Sequence, residues 1–149
     1  MELVKLLSSV PLFSGLNTDQ LTRLTSISRS ETFNTDDIIF KQGSTDDRVY
    51  IVTRGQVEIR FADAGGGDHA ALYLGQGQIF GEMALLDKGA RSASVLAIED
   101  GTEVYSITST ALMTLCQQDT AIGFIMMRNL ALDLSFKLRH KNLDPTTSI

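Results

Sequence analysis

Short runs of β-branched and aromatic residues alternate with glycines along the middle of this chain, from Glu31 to about Thr108. The runs are residues 38–40, 49–52, 57–61, 71–74, 94–98 and 104–107, and the glycines lie at 43, 55, 65–67, 75, 77 and 101. β-Branched and aromatic residues favour strands, and glycines between such runs favour turns. Many short strands at regular spacing predict a mainly β fold, an antiparallel β roll similar to a double-stranded jelly roll, in preference to a parallel α/β sheet.

Helices are predicted before this β region. Leucines and an isoleucine recur at helical spacing up to about Ser30. Pro11 and Gly15 interrupt the pattern, so we expect two helical pieces. The residues Asn17–Gln20 suit the start of the second piece, because an Asn side chain can cap a helix while a Gln three positions later returns a hydrogen bond.

Helices are also predicted after the β region. Thr108 or Ser109 can cap a short helix that ends near Gln118. Asp119 can cap a longer helix that continues to about Lys141. We therefore expect one domain over residues 1–142, made of N-terminal helices (1–30), a β roll (31–108) and C-terminal helices (109–142), followed by a disordered tail (143–149).

The longer C-terminal helix is apolar on more of its circumference than one buried stripe requires. Its apolar residues are Ile122, Phe124, Ile125, Met126, Met127, Leu130, Leu132, Leu134, Phe136 and Leu138. We expect part of this surface to pack on the β roll. The remainder needs another partner: a second subunit in a homodimer, a partner protein, a bound ligand or a further domain. The alternative is the loose end of a truncated chain.

Composition and charge argue against several classes of function. The net charge of −5 disfavours direct binding of nucleic acid, which usually needs a basic face. No apolar run approaches the roughly 20 residues that cross a bilayer, so no membrane span is expected. The single cysteine, Cys116, rules out an internal disulfide and suits a reducing compartment, so the expected location is cytoplasmic.

Catalysis finds little support in the sequence. His69, His140 and Cys116 form no pattern of metal ligands, and neither a nucleophile elbow nor a phosphate-loop lysine occurs. We therefore expect neither an enzyme nor a bound metal. The glycines at 65–67 are expected to form the tip of a hairpin.

One segment carries most of the functional information: Phe80–Val95, with the sequence FGEMALLDKGARSASV. The ionised carboxylate of Glu82 can accept a hydrogen bond from a sugar hydroxyl. Arg91 presents a planar fork of donors that suits two oxygens of a phosphate. Gly81 lets the backbone approach a ligand closely. The alternative is that Glu82 and Arg91 form a weak surface ion pair across an ordinary turn.

Smaller features of the same segment favour a binding site over a surface ion pair. The residues Met83–Leu86 can form one helical turn whose free amides point at an anion. Ser92 and Ser94 add hydroxyls beside Arg91. Small side chains leave room for a ligand at three positions: Ala84, Ala90 and Ala93.

The two halves of this segment, Phe80–Leu85 and Arg91–Val95, resemble the phosphate-binding cassette of cyclic nucleotide-binding domains. The resemblance continues upstream, in order, and covers nearly the whole chain. The similar upstream segments are VPLF (10–13), IIFKQG (38–43), VYIV (49–52) and GQVEI (55–59). One departure is Ser44, where many relatives carry an Asp, in a turn that we expect to be remote from the site.

The resemblance assigns roles to individual residues. It implies that Glu82 holds the ribose 2′-hydroxyl of a cyclic nucleotide and that Arg91 holds its cyclic phosphate. It also implies that backbone amides near Gly81, Ala84 and Ser92 contact the phosphate. The Ser92 hydroxyl would make a further contact. Leu72 and Leu74 would line the base or the sugar, although a purely structural place in the core suits them equally.

The residues expected to bind the ligand are thus Leu72, Leu74, Phe80, Gly81, Glu82, Met83, Ala84, Arg91, Ser92 and Ala93. The implied function is a sensor module that binds cyclic AMP or cyclic GMP and signals by movement of its C-terminal helix, folded over the base as a lid. One alternative is a binding-silent interaction or dimerisation module of the same fold. Another is a regulatory fragment of a larger transcription factor, channel or enzyme.

Overall fold

The structure, a computed structural model, describes residues 2–62, 65, 67–87 and 89–141. Its elements are α1 (Glu2–Ser8), a 3-10 helix (Pro11–Phe13), α2 (Thr18–Ser26), β1 (Arg29–Phe33), β2 (Ile38–Phe40), β3 (Arg48–Arg54), β4 (Val57–Ala62), β5 (Asp68–Leu74), β6 (Ile79–Phe80), a second 3-10 helix (Glu82–Leu85), β7 (Ser94–Ala97), β8 (Thr102–Thr108), α3 (Ser109–Gln118) and α4 (Thr120–Lys141). The predicted order of helices, β region and helices is confirmed. The predicted tail at 143–149, and Gly66 of the predicted hairpin tip, lie outside the described residues.

The strands form two four-stranded sheets. Sheet I has the order β1-β8-β3-β6 and sheet II the order β2-β7-β4-β5. All the strand pairs are antiparallel. Apolar side chains from both sheets meet in one core cluster: Phe40, Tyr50, Val52, Val57, Leu74, Phe80, Val95 and Val104. The prediction of an antiparallel β roll is confirmed.

Two short strands were not predicted, and both depend on their partners. The sequence pattern assigned residues up to about Ser30 to helix, but α2 ends at Ser26 and β1 begins at Arg29. The polar strand β1 exists because it pairs along its length with β8. The two-residue strand β6 pairs with β3 through Tyr50↔Phe80. This pairing holds Phe80, the residue directly before Gly81 and Glu82, against β3.

The predicted helix caps are confirmed. Asn17 and Gln20 exchange backbone-to-side-chain hydrogen bonds of 2.8 and 2.9 Å at the start of α2. The hydroxyl of Thr108 accepts a hydrogen bond from the Ala111 amide at the start of α3. Asp119 caps α4 in the same way by accepting from the amides of the first turn. These local bonds satisfy backbone donors that a helix start leaves free.

The helix α4 is buried along only part of its length, as expected from its excess of apolar surface. Ile122, Met126 and Leu130 are buried in a second core cluster formed with the N-terminal helices and α3. The amide of Asn129 donates hydrogen bonds of 2.9 and 2.8 Å to the carbonyls of Leu12 and Ser14. Beyond this attachment the apolar side chains of α4 are largely exposed.

Candidate functional site

A cavity of about 800 Å³ lies between sheet II, the Phe80–Val95 segment and α4. Its apolar wall comes from β2, β4 and β5 through Phe40, Ile59, Phe61, Leu72 and Leu74. Its opposite wall is the side of α4 that carries Asn129, Leu130, Asp133 and Lys137. The volume suits a ligand of nucleotide size.

All the residues that the sequence analysis expected to bind a ligand line this one cavity: Leu72, Leu74, Phe80, Gly81, Glu82, Met83, Ala84, Arg91, Ser92 and Ala93. Their exposure differs. Leu74 and Phe80 are buried and also belong to the core cluster of the roll, whereas Leu72 is 51% exposed at the cavity wall. Core packing therefore explains the apolar side chain at Leu74. It does not explain the one at Leu72, which is exposed.

Gly81 stands where only a glycine fits. Its backbone is left-handed, with φ of +79°. A Cβ atom at this position would lie 2.9 Å from both the carbonyl oxygen of Arg48 and Nη1 of Arg91. Such a distance is shorter than real Cβ contacts, so a larger residue would displace the backbone or the guanidinium. The following residues, Glu82–Leu85, form the single helical turn that the sequence predicted.

Arg91 is buried, with 8% of its surface exposed, and its guanidinium is held by protein acceptors. Nη1 donates to the Gly81 carbonyl at 3.2 Å, and Nη2 donates to the Arg48 carbonyl at 2.6 Å. Nη2 also donates to the carboxylate of Asp46 at 3.3 Å. The guanidinium carbon lies 4.2 Å from the centre of the Phe40 ring, a favourable cation–π distance.

One nitrogen of this guanidinium has no hydrogen-bond partner. Nε of Arg91 is buried and makes no hydrogen bond within the structure. A buried donor without an acceptor lowers the free energy of unfolding by about 1–3 kcal/mol, and by more when the group is charged. Because Arg91 lines the cavity, an anionic ligand there can supply the missing acceptor. The weak surface ion pair considered as an alternative does not occur, since Arg91 pairs with Asp46 and is not at the surface.

Two residues that hold Arg91 in place, Asp46 and Tyr50, were not predicted from the sequence. The hydroxyl of Tyr50 donates a 2.5 Å hydrogen bond to Asp46, and the Tyr50 ring stacks on Phe80 at 5.0 Å. Burial, followed by the hydrogen bond and charge of Asp46, raises the pKa of Tyr50 well above its ordinary value. Asp46 lies in a polar loop whose composition predicts only a turn, so nothing local in the sequence marks it.

The expectation that the turn at Ser44 is remote from the site is wrong. The amide of Arg91 donates to the Ser44 carbonyl at 2.8 Å, and the Gly43 amide donates to the Arg91 carbonyl at the same distance. These bonds use backbone atoms. The turn therefore positions Arg91 whichever side chain stands at position 44.

Glu82 is half-buried at the cavity wall and interacts electrostatically with two charged side chains of α4, Lys137 and Asp133. Burial raises the pKa of its carboxyl above the ordinary value of 4.5. The ammonium of Lys137 lowers this pKa and the carboxylate of Asp133 raises it. Asp133 and Lys137 form an ion pair of 2.9 Å with each other. Their part in the site was not predicted, because a charged pair at this spacing is common on exposed helix faces.

Within the described part of the chain, no three or more His, Cys, Asp or Glu side chains are grouped so that they could hold a metal ion. No helix among the described residues has the length and apolar character needed to cross a membrane.

Comparisons with known proteins agree with this architecture. The chain is 33% identical over 134 residues to the cyclic AMP receptor protein of Thermus thermophilus, covering 90% of this chain and 60% of that protein. It is 27% identical over 107 residues to a cGMP-dependent protein kinase of Caenorhabditis briggsae, covering 71% of this chain and 14% of the kinase. The crystal structure of the Thermus thermophilus catabolite activator protein superposes with a TM-score of 0.79 at 33% identity, covering 89% of this chain and 60% of that one.

The chain thus spans less than two thirds of the length of these relatives. The sequence profile of one family, the cyclic nucleotide-binding domain, matches residues 30–119, which is more than half of the chain. This family is defined by regulatory ligand binding and not by catalysis. The chain therefore belongs to the cyclic nucleotide-binding domain family.

Proposed function

We propose that this chain is a sensor module that binds cyclic AMP or cyclic GMP in the 800 Å³ cavity, with residues 1–142 acting as one binding domain. The observation that carries the proposal is the buried guanidinium of Arg91, whose Nε has no partner. A cyclic phosphate supplies anionic oxygens for such a donor. Nη1 and Nη2 already donate to carbonyl oxygens of the protein, so the guanidinium is oriented before the ligand arrives.

The remaining roles follow from the position of each group on the cavity wall. Glu82, close to Arg91 along the wall, accepts the ribose 2′-hydroxyl. The Ser92 hydroxyl and the backbone near Gly81 and Ala84 complete the contacts to the phosphate. The base lies between the apolar wall of sheet II and α4.

Movement of α4 is the proposed signal. This helix contributes part of the cavity wall, so a nucleotide that touches it binds one position of the helix better than others. Such a difference in affinity is what a ligand needs to shift a conformational equilibrium. Asn129 anchors the helix to the 3-10 helix at Pro11–Phe13, and the exposed part beyond Leu130 is the segment free to respond.

The outer surface of α4 supports a second role, association with another copy of the chain. Phe124 is 69% exposed and Phe136 is 60% exposed, and exposed aromatic side chains on one helix favour a protein interface. Association without nucleotide binding is the alternative function. It is disfavoured because it leaves the unpaired Nε of Arg91 unexplained.

The larger context of the module is also a matter of proposal. The chain spans 60% of the bacterial receptor and 14% of the kinase described above, so a DNA-binding or catalytic output can belong to another part of a longer protein. With one buried thiol, at Cys116, the module suits a reducing compartment such as the cytoplasm.

Calorimetric titration of the chain with cyclic AMP and with cyclic GMP tests the proposal. We expect saturable binding of at least one of them. Hydrogen exchange in the same complex should show added protection in residues 120–140. Binding without that protection would contradict the movement of α4, and absence of binding would leave association as the function.

A further inference from the structure

The phosphate site holds a carboxylate immediately beside its cation. Oδ2 of Asp46 lies 3.3 Å from Nη2 of Arg91, and Asp46 does not itself line the cavity. The side chain of Arg91 is 7% exposed and that of Asp46 is 27% exposed, so water screens this ion pair less than it screens a surface pair. The protein therefore offsets much of the guanidinium charge before a ligand binds.

The rest of the cavity wall supplies no unpaired cation among the described residues. Its charged side chains are Glu82, Asp87, Arg91, Asp133 and Lys137. The ammonium of Lys137 is paired with Asp133 at 2.9 Å. With Asp46 included, four acidic and two basic side chains lie on the cavity wall or directly behind it. The site thus offers one guanidinium to a negative charge of the ligand and no cation to a second.

Phosphate groups differ in the charge that they bring to such a site. A cyclic phosphate is a diester with one ionisable oxygen, so it carries a single negative charge. A phosphomonoester, as in a linear nucleotide, carries roughly −1.5 to −2 charges at neutral pH. The second charge would face Asp46 and Glu82 with no cation to balance it. Like charges repel more strongly in a partly buried site than in water, so the monoester should be disfavoured.

We infer that Asp46 is a specificity-determining residue that restricts the site to singly charged phosphodiesters and rejects the linear nucleoside monophosphates with the same base and sugar. This inference rests on the proposed nucleotide site. Asp46 acts through its charge and without touching the ligand, because it stands behind Arg91 and outside the cavity wall.

The charge of Asp46 can be separated from its other contacts. The same oxygen, Oδ2, accepts the hydrogen bond of the Tyr50 hydroxyl at 2.5 Å and that of Arg91. Both bonds need only an oxygen acceptor, which the amide of an asparagine also provides. Asp46→Asn therefore removes the negative charge and keeps a group that can orient the guanidinium. Tyr50→Phe does the reverse, since it removes one hydrogen bond and keeps the charge.

The test compares three ligands that share adenosine: cyclic AMP, 5′-AMP and the methyl ester of 5′-AMP, or the guanosine set if the chain prefers cyclic GMP. The methyl ester is linear like 5′-AMP and singly charged like the cyclic diester, so these two linear ligands separate charge from ring shape. Displacement of bound cyclic nucleotide measures the affinities at about pH 8, where the monoester is almost entirely a dianion. Wild type should bind the methyl ester about tenfold or more tightly than 5′-AMP. Asp46→Asn should reduce this ratio to about threefold or less.

Two control variants keep the Asp46 charge. Tyr50→Phe should keep the ratio between methyl ester and 5′-AMP within about twofold of wild type, even where all three affinities decrease together. Asp19→Asn makes the same change in net charge on the exposed first turn of α2, outside the cavity lining, and should alter neither the ratio nor the affinities. Circular dichroism checks the fold, and Asp46→Ser is a second neutral variant with an oxygen acceptor.

Three results would overturn the inference. The first is an unchanged ratio in the neutral variants of Asp46. The second is an equal loss for all three ligands, because Asp46 would then only orient Arg91. The third is rejection of both linear ligands alike by wild type, since ring shape and not charge would then select the ligand. Failure of wild type to bind either cyclic nucleotide would instead refute the proposed function itself.

Discussion

The carboxylate of Asp46 lies 3.3 Å from Nη2 of Arg91 and accepts a 2.5 Å hydrogen bond from the hydroxyl of Tyr50. Tyr50 lies in β3 and Arg91 in the loop before β7, so residues from two separate elements hold the carboxylate in place. Phe40 covers the guanidinium from another side. The cation is thus fixed by the protein through three of its five N–H donors, and Nε is one of the two that remain for a ligand.

Arg91→Ala should nearly abolish nucleotide binding. Charge-assisted hydrogen bonds contribute roughly 1.5–3 kcal/mol each, so the loss of two weakens binding by about a hundredfold or more. Calorimetric titration measures the change, and circular dichroism shows whether the fold is kept. Arg91→Lys is the matched variant: it keeps the charge without the planar fork and should recover only part of the affinity. Unchanged affinity in Arg91→Ala would refute the assignment of the phosphate site.

Gly81→Ala should weaken nucleotide binding through Arg91. The new Cβ would meet Nη1 of Arg91 and the Arg48 carbonyl at 2.9 Å, and the guanidinium would have to move. The loss of one aligned hydrogen bond predicts a decrease in affinity of about tenfold or more. Gly101→Ala is the control, because Gly101 also has a positive φ but nothing lies within 4 Å of its added Cβ.

Both glycine variants should share a loss of stability of roughly 1–2 kcal/mol from the left-handed backbone, and Gly81→Ala should lose more because its Cβ also meets the Arg48 carbonyl. Chemical denaturation measures this shared cost. Only Gly81→Ala should also lose affinity. Equal affinities in the two variants would show that the close approach of Gly81 to Arg91 does not matter for binding.

Binding of ribose nucleotides should weaken as the pH falls through the pKa of Glu82. Burial raises this pKa above 4.5, so the carboxyl becomes protonated at a higher pH than an exposed glutamate. The protonated group is a poorer acceptor for the 2′-hydroxyl. Titrations at a series of pH values should show the decrease for ribose nucleotides and not for the 2′-deoxy analogues. Glu82→Gln should bind both ligands without this pH dependence.

The same shift predicts how stability without ligand changes with pH. Between the ordinary and the raised pKa of Glu82, the folded state binds more protons than the unfolded state. The contribution of Glu82 to the free energy of unfolding therefore decreases as the pH rises through this window. Urea denaturation should show Glu82→Gln gaining stability relative to wild type over that range. Lys137→Met should extend the upper end of this window, because the lysine lowers the pKa of Glu82 in the folded state.

The roll and its helices could be predicted because their signals are local. Asn17 with Gln20, and Asp119 at the start of α4, are capping residues that act within one helical turn. The strands rich in β-branched residues carry their own preference. β1 and β6 carry almost no such preference. β1 (Arg29–Phe33) is polar, and β6 (Ile79–Phe80) is too short for a pattern. Pairing with distant strands forms them, and a single sequence does not display such pairing.

The site shows the same division. Gly81, Glu82 and Arg91 stand in one segment with a recognisable pattern, so they could be predicted together. Asp46 is 45 residues away from Arg91 in the sequence and meets it only through the fold. Asp133 could not be predicted for another reason: an Asp-Lys pair four residues apart on a helix ordinarily faces solvent. Only the position of α4 in the fold shows that Asp133 also lines the cavity.

Replacement of Phe124 by Glu should weaken self-association of the chain. Phe124 is 69% exposed on α4 and does not line the cavity, so a charge there opposes an apolar contact between subunits without touching the nucleotide site. Sedimentation equilibrium should show a dimer for wild type and a shift toward monomer for Phe124→Glu, with nucleotide affinity per chain changed by less than about threefold. Gln117→Glu, which adds the same charge on the exposed surface of α3, should leave the dimer intact. A wild-type chain that stays monomeric at high concentration, with and without nucleotide, would contradict an interface formed by α4.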